Sequence, residues 1–288
     1  MKVLLTGVKG QLGSCFQDIF PHDWSLITKD SQELDITDLS AVEACIAISK
    51  PDAIVNAAAY TAVDKAEDED ELAYKVNAIG PQNLAIVANK YSIKLIHIST
   101  DYVFDGTKKT PYFETDLTNP INVYGKTKRE GELAVIQHDP SAIVIRTSWV
   151  FSEYGNNFVK TMLTLSLKHN KLSIIDDQLG CPTYAGDIAN AILKILMNNI
   201  RGGIYHYCGD QIVSWFNFCL EIFSIAEKLN LTGIKKPIVK PILTCQYSTK
   251  AKRPLYSVLN MDKIRSLNIE GSDWKKALVH VISKIKLE

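Results

Sequence analysis

A chain of 288 residues, 46% apolar and 22% charged, is long enough to bury a large core without metal or disulfide staples. Its 32 Lys and Arg balance 32 Asp and Glu, and a net charge of zero argues against a nucleic-acid binder, which ordinarily carries a basic stripe. Cys15, Cys45, Cys181, Cys208, Cys219 and Cys245 form no Cys-x-x-Cys pair, which favours buried reduced thiols over a zinc site, and with no signal-like leader and no apolar run near about 18 residues the expectation is a cytoplasmic protein without a membrane partner.

Val3–Thr6 is a short apolar run that ends at Gly7, and Gln11–Phe20 follows as a helix. Trp24–Thr28 is a second strand, Leu39–Ser49 a helix stopped before Pro51, and Ala53–Ala57 a buried strand. Glu69–Tyr91 holds one or two helices, the second starting near Pro81. Ile93–Ile98 is a β-branched apolar strand, Tyr124–Ile136 an amphipathic helix and Ala142–Thr147 again a strand. This alternation predicts an α/β fold, a Rossmann-type doubly wound parallel sheet covered by helices on both faces. Beyond residue 150 the pattern loosens. Helices are expected at Asn157–Lys168, Asp187–Met197, Trp215–Leu229 and Trp274–Lys286, and short strands at Leu172–Ile175 and Ile204–Tyr207. Three prolines between Lys235 and Pro254 mark a loop or short strands there. The expected organisation is a dinucleotide-binding domain over residues 1–150 and a smaller mixed α/β lobe over 151–288, mainly for substrate, with some segments free to return to the first domain.

Gly7-Val8-Lys9-Gly10-Gln11-Leu12-Gly13 lies between the first strand and the first helix. Glycines at that turn let backbone approach a pyrophosphate, and the helix N-terminus offers it free N–H groups and partial positive charge. A tight turn serving only helix–strand packing would look similar. Asp30 near the end of the second strand suits the adenosine ribose, while the preceding Lys29 would tolerate a 2′-phosphate, so NADPH and NADH both remain open. Asp35-Ile36 is either an adenine flank or a solvated turn. The small residues of Asn56-Ala57-Ala58-Ala59 leave room for a cofactor, or for close helix packing.

Tyr124 and Lys128 stand at i and i+4, on one face of a helix. A free phenol has a pKa of about 10, which a neighbouring ammonium lowers, so the pair suits proton transfer to a carbonyl oxygen as hydride arrives at carbon. The same spacing also arises in surface pairs. Ser99-Thr100-Asp101 closes the strand before it. Thr100 could hydrogen-bond a substrate carbonyl or simply cap the next segment.

Taken together, Leu5–Gly13, Val55–Ala66, Ser99–Phe104, Asn122–Lys128, Arg146–Val150, Gly155–Met162, Asp177–Thr183 and Arg253-Pro254 resemble the extended short-chain dehydrogenase/reductase family, within it the reductases that act on dTDP-4-dehydro-L-rhamnose. The resemblance spans nearly the whole chain in the family's order. It implies reduction of the C4 keto group of a dTDP-linked keto-deoxysugar by NADPH or NADH. It implies that Gly10, Gln11 and Leu12 contact the cofactor phosphates, that Asp30, Asp35 and Ile36 surround the adenosine, and that Ala59, Tyr60, Thr61 and Ile98 line the dinucleotide. Tyr124 is then the proton donor, Lys128 holds the nicotinamide ribose and tunes Tyr124, Thr100 and Asp101 hold the sugar beside Trp149, and Arg253 contacts the diphosphate. Some relatives dimerise through magnesium held by glutamates. The matching positions here are Cys15 and a site near Gly186, poor magnesium ligands, so the expectation is no metal and a monomer or homodimer. Dehydratases of this group carry a Glu after the Asp, where this chain has Tyr102. A reductase for another keto sugar, an epimerase, or a non-catalytic subunit resembling the methionine adenosyltransferase beta subunit are the alternatives.

Overall fold

Apolar runs alternate with helices through the first half of the molecule. In this computed structural model, which describes residues 1–198, 200–231 and 236–285, β1 (Lys2–Thr6) leads through Gly7 into α1 (Gln11–Asp18). β2 (Ser25–Lys29) precedes α2 (Leu39–Ser49). Asp38 fixes the start of α2 by accepting from the Ser40 and Ala41 N–H groups, and Lys50, at φ 46°, ends it. β3 (Ala53–Asn56) is followed by α3 (Val63–Ala66) and α4 (Asp70–Tyr74). α4 continues through a π-helical turn at Lys75–Ile79 into α5 (Gly80–Tyr91), with Pro81 in its first turn. β4 (Lys94–Thr100), a 3-10 turn at Asp101–Val103, α6 (Val123–His138) and β5 (Ile143–Thr147) complete this half.

The second half contains β6 (Val150–Phe151), α7 (Phe158–Lys168), β7 (Lys171–Ile175), β8 (Leu179–Gly180), β9 (Thr183–Tyr184) and α8 (Ala185–Met197). It continues with β10 (Gly203–His206), β11 (Val213–Ser214), α9 (Trp215–Lys228), β12 (Ile238–Ile242), α10 (Asp262–Arg265) and α11 (Trp274–Lys284). The segment towards Pro254 thus holds one strand and a 3-10 turn at Thr244–Gln246. Lys235, and Lys286 at the expected end of the last helix, lie outside the described residues.

Six strands form one sheet in the order β10-β5-β4-β3-β1-β2, every pairing parallel. Parallel strands covered on both faces require near-continuous apolar sequence, and β3 and β5 are buried at every position. Alternate residues then serve opposite layers. Val3, Leu5, Val55 and Ile145 pack with Phe16, Ile188 and Ile192 on one side. Leu4, Ile54, Leu95 and Val144 pack with Val42, Ile46 and Leu84 on the other. A separate cluster joins α7, α9 and α11 through Leu163, Phe218, Phe223, Trp274 and Leu278. β10 belongs to the large sheet beside β5, although it falls after residue 150.

Strand order changes direction at β1: β2 lies on one side and β3, β4 and β5 on the other. In open α/β sheets the crevice beyond the carboxyl ends at such a switch point receives the ligand. All six cysteines are free. Cys15, Cys181, Cys208 and Cys219 are buried as expected, whereas Cys45 is half-buried and Cys245 exposed. Among the described residues no helix is long and apolar enough to cross a membrane.

Candidate active site

The crevice beyond β1 and β3 is a cleft of about 830 Å³. Gly7 turns the chain there at φ 71°, and a Cβ on it would lie 2.5 Å from the Ala57 carbonyl carbon and the Ala58 nitrogen. Only glycine fits a left-handed turn at that approach. Gly10 starts α1 with no side-chain cap, so the first-turn N–H groups remain open to an anion. Gly7, Gly10, Gln11 and Leu12 all line the cleft. The uncapped first-turn N–H groups beside a glycine turn are a donor set that fits a pyrophosphate.

Asp30, Asp35 and Ile36 line the far end of the same cleft. Asp30 accepts from the backbone N–H groups of Gln32 and Glu33 at 2.8 and 3.0 Å and forms an ion pair with Lys9. The hydrogen bond from Lys9 holds its carboxyl below the usual range. Lys9, an unremarked residue between two glycines in the sequence, is therefore the cation beside Asp30. Asp35 closes its turn by accepting from the Thr37 N–H and hydroxyl at 2.9 and 2.8 Å, so it is a turn aspartate and a lining residue at once.

Ala59, Thr61 and Ile98 line the wall. Tyr60 does not: its hydroxyl donates to Glu69 at 2.6 Å, and its backbone is clamped by Asn77. Asn77 lies in the π-helical turn, accepts from the Tyr60 N–H at 2.8 Å, and donates to the Tyr60 carbonyl at 3.0 Å and to Thr127 on α6 at 3.1 Å. The wider turn thus fastens the loop after β3 to the helix that carries Tyr124 and Lys128.

Tyr124 and Lys128 both line the cleft that the glycine turn opens. Asn122 sets the start of α6 by accepting from the Gly125 N–H at 2.7 Å. Gly125 lets the helix approach the 3-10 turn: a Cβ there would sit 2.1 Å from the Tyr102 carbonyl oxygen. Lys128 is 1% exposed, donates to the Ile98 carbonyl at 2.7 Å, and burial pushes its amine down to about 8. The expected lowering of the Tyr124 phenol is not found. Burial pushes it up to about 12, Asp101 adds to the rise, and only the hydrogen bond with Thr100 pulls it down. The Lys128 amine is committed to a carbonyl and is itself destabilised as a cation, so desolvation wins.

Thr100 and Asp101 do not line the main cleft. They lie buried at the end of β4, against the Tyr124 side. Thr100 does cap the 3-10 turn, accepting from the Tyr102 N–H at 3.2 Å, and also donates to Asp101 at 3.1 Å. Asp101 Oδ2 is buried with no hydrogen-bond partner among the described residues, and burial pushes its carboxyl up to about 7. Trp149, in the left-handed region at φ 47°, stacks one face on Trp215 with ring centroids 3.5 Å apart and planes at 5°. That face is taken, and its edge lies over Gly180. Arg253 pairs with both oxygens of Asp64, at 3.1 and 2.6 Å, and donates to the Ala251 carbonyl at 2.9 Å. Among the described residues no three His, Cys, Asp or Glu side chains converge as a metal site. Cys15 is buried, and Glu153 nearby is paired with Lys284 at 2.9 Å.

A family model described as the RmlD substrate binding domain matches residues 1–287. The chain belongs to the dTDP-4-dehydrorhamnose reductase family. A dTDP-4-dehydrorhamnose reductase of Aggregatibacter actinomycetemcomitans is 44% identical over 97% of this chain and 98% of its own length. The crystal structure of a family member from Clostridium acetobutylicum superposes with a TM-score of 0.90 at 41% identity, covering 98% of this chain and 99% of that one. That of the Bacillus anthracis enzyme, in complex with NADP, gives 0.92 at 36% identity with the same coverage.

Sequence reasoning missed several residues around the cleft. Gly155 and Asn156 line it from the second half of the sequence, held there because Gln11 Oε1 accepts from Ser152 and Asn157 at 3.1 and 3.0 Å. Glu132, one turn beyond Lys128, is buried against Arg146 at 2.7 Å and accepts from Ser99. The i, i+4 spacing of Lys128 and Glu132 was the available signal.

Proposed function

We propose that this chain reduces the C4 keto group of dTDP-4-dehydro-L-rhamnose to give dTDP-L-rhamnose, with NADPH or NADH as donor. The observation that carries the reading is that Tyr124 and Lys128 line the same cleft as the glycine turn. The nicotinamide coenzyme, when bound, supplies the hydride. Gly7 and the backbone of Gly10, Gln11 and Leu12 hold its phosphates, Asp30, Asp35 and Ile36 surround the adenosine, and Ala59, Thr61 and Ile98 pack along it, with Tyr60 keeping that loop in place. Thr100 and Asp101 hold the sugar, Trp149 walls it, and Arg253 reaches the diphosphate by sharing its guanidinium with Asp64.

Tyr124 gives its proton to O4 as negative charge develops there. A phenol pushed up to about 12 is protonated at neutral pH, which suits a donor and not a base. The Thr100 hydroxyl steadies the same oxygen, and the Lys128 ammonium favours the phenolate that results. Orientation and electrostatics at one oxygen supply most of the rate. Tyr102, not a carboxylate, follows Asp101, so the base that dehydration would need is not at that position. The reading extends to a cytoplasmic monomer or homodimer without a bridging metal, taking neither nucleic acid nor membrane as partner. In it residues 1–150 bind the dinucleotide and 151–288 mainly the substrate.

Oxidation of NADPH and NADH against a panel of dTDP- and UDP-linked keto sugars tests this directly, with turnover expected on dTDP-4-dehydro-L-rhamnose. Tyr124→Phe is expected to leave NADPH binding near intact and to lower kcat at least about a hundredfold, the loss of a general acid. Near wild-type turnover in that variant removes Tyr124 from the mechanism.

A further inference from the structure

Three neighbouring strands place three polar side chains in one row beneath the cleft. Thr6 on β1 is the register partner of Asn56 on β3, and Asn56 that of His97 on β4. All three are buried, at 2%, 1% and 0% exposure. Asn56 Oδ1 accepts from the Thr6 hydroxyl at 2.7 Å and from the Ala58 backbone N–H at 3.2 Å. A backbone N–H can only donate, so the oxygen of Asn56 is fixed on that side and its NH₂ faces His97 Nδ1, 3.0 Å away. Nδ1 must therefore accept. The single proton of the neutral ring then lies on Nε2, which is 3.4 Å from Lys128 Nζ. Burial keeps the ring neutral, holding His97 well below its ordinary value.

We propose that the row Thr6–Asn56–His97 locks the imidazole as its Nε2–H tautomer and turns that N–H on the Lys128 amine, making His97 a positioning residue that governs the charge carried beside Tyr124. The groups around the amine leave His97 as the element that can tip the balance. On α6 itself stand Tyr124 one turn before and Glu132 one turn after. Among the described residues Glu132 is the carboxylate that raises the amine, and it is already shared with Arg146 from β5. From β4 come the Ile98 carbonyl, which accepts from the amine, and His97. An N–H pointed at the amine opposes the ammonium, whereas the other tautomer would accept from it and favour it.

The inference rests on the reading that Lys128 acts beside Tyr124, but its test does not need turnover. In Asn56→Asp the carboxylate draws a proton to Nδ1 and presents bare Nε2 to Lys128. In His97→Gln the amide can turn its oxygen to the amine, which keeps the test open should the first variant fail to fold. Titration of the Lys128 side-chain carbon signal by NMR, assigned with Lys128→Arg, is expected to move up by about one unit in either variant. The basic limb of kcat/KM for the keto sugar at saturating NADPH should move with it. The imidazole ¹⁵N pattern of His97 in the unaltered protein should be that of an Nε2–H ring. An Nδ1–H pattern, or an unmoved Lys128 titration in a folded variant, overturns the proposal. If no keto sugar is reduced while Lys128 shifts as stated, the reductase reading fails and this one stands.

Discussion

Asp101 combines full burial with an oxygen that has no partner among the described residues. A buried acceptor left unpaired is costly, and burial pushes the carboxyl up to about 7 against the pull of its hydrogen bonds with Ser257 and Thr100. On the proposed reading, a sugar hydroxyl donating to Oδ2 would relieve that cost. Asp101→Asn keeps the shape and removes the charge. It is expected to raise KM for the keto sugar about tenfold or more, the worth of one charged hydrogen bond, with the Kd for NADPH unchanged and Tm no lower than that of the unaltered protein. A loss of NADPH affinity of the same size would place Asp101 on the cofactor instead. At this scale the sequence displayed what recurs within one segment: the glycine turn, and Tyr124 with Lys128 one helical turn apart. It hid Thr6, Asn56 and His97, which stand in three separate strands and meet only through register. Lys9 was hidden for a related reason, since its meaning comes from Asp30, just past the next strand.

Helix α6 carries Tyr124 and Lys128 at the distance set by two close backbone contacts, Gly125 against Tyr102 and Gly131 against Asn77, where an added Cβ would sit 2.1 Å from the facing carbonyl oxygen in each case. Replacing a helical glycine by alanine ordinarily helps the helix by up to about 1 kcal/mol. At Gly125 the added carbon would meet a carbonyl oxygen at 2.1 Å, and overpacking of that kind costs about 1–3 kcal/mol. The clash decides the sign. Gly125→Ala is expected to lower the urea midpoint, and by moving Tyr124 off Thr100 to lower kcat more than it raises KM for NADPH. An unchanged midpoint would mean that the 3-10 turn yields freely and does not position Thr100. The long elements were legible because period and length agree: α2 runs over Leu39–Ser49 as expected. Strands of two residues, such as β8 and β9, carry no period and were not seen. The π-turn was invisible too, since i→i+5 backbone bonding leaves no residue pattern within Lys75–Ile79, and the Asn77 contacts with Tyr60 and Thr127 that accompany it are long-range.

Across the whole molecule, the buried histidines tie stability to pH. His206 lies under the sheet edge with Nδ1 3.1 Å from the Asn260 carbonyl and Nε2 3.4 Å from Arg146, and burial together with that guanidinium pushes it down to about 3. His97 is held down in the same direction. An unfolded histidine takes up its proton near pH 6.5, so between about 6.5 and 3 the unfolded chain binds protons that the folded one refuses. Stability is therefore lost as pH falls through that window, by up to about 1.4 kcal/mol per pH unit for each such histidine. Asp101 and Asp187 act the other way. Their carboxyls are raised by burial, so the folded chain binds the extra proton, and for Asp101 the opposing slope runs from about 7 down to its unfolded value. The measured profile is the sum, but a difference between two proteins isolates one term. His206→Gln can still donate to Asn260 and takes up no proton. Urea unfolding at pH 7, 6, 5 and 4 is expected to show a shallower acid loss in the variant than in the unaltered protein, by about one proton's slope. Parallel profiles would mean that His206 charges inside the fold at no cost, which a ring packed against Arg146 does not allow.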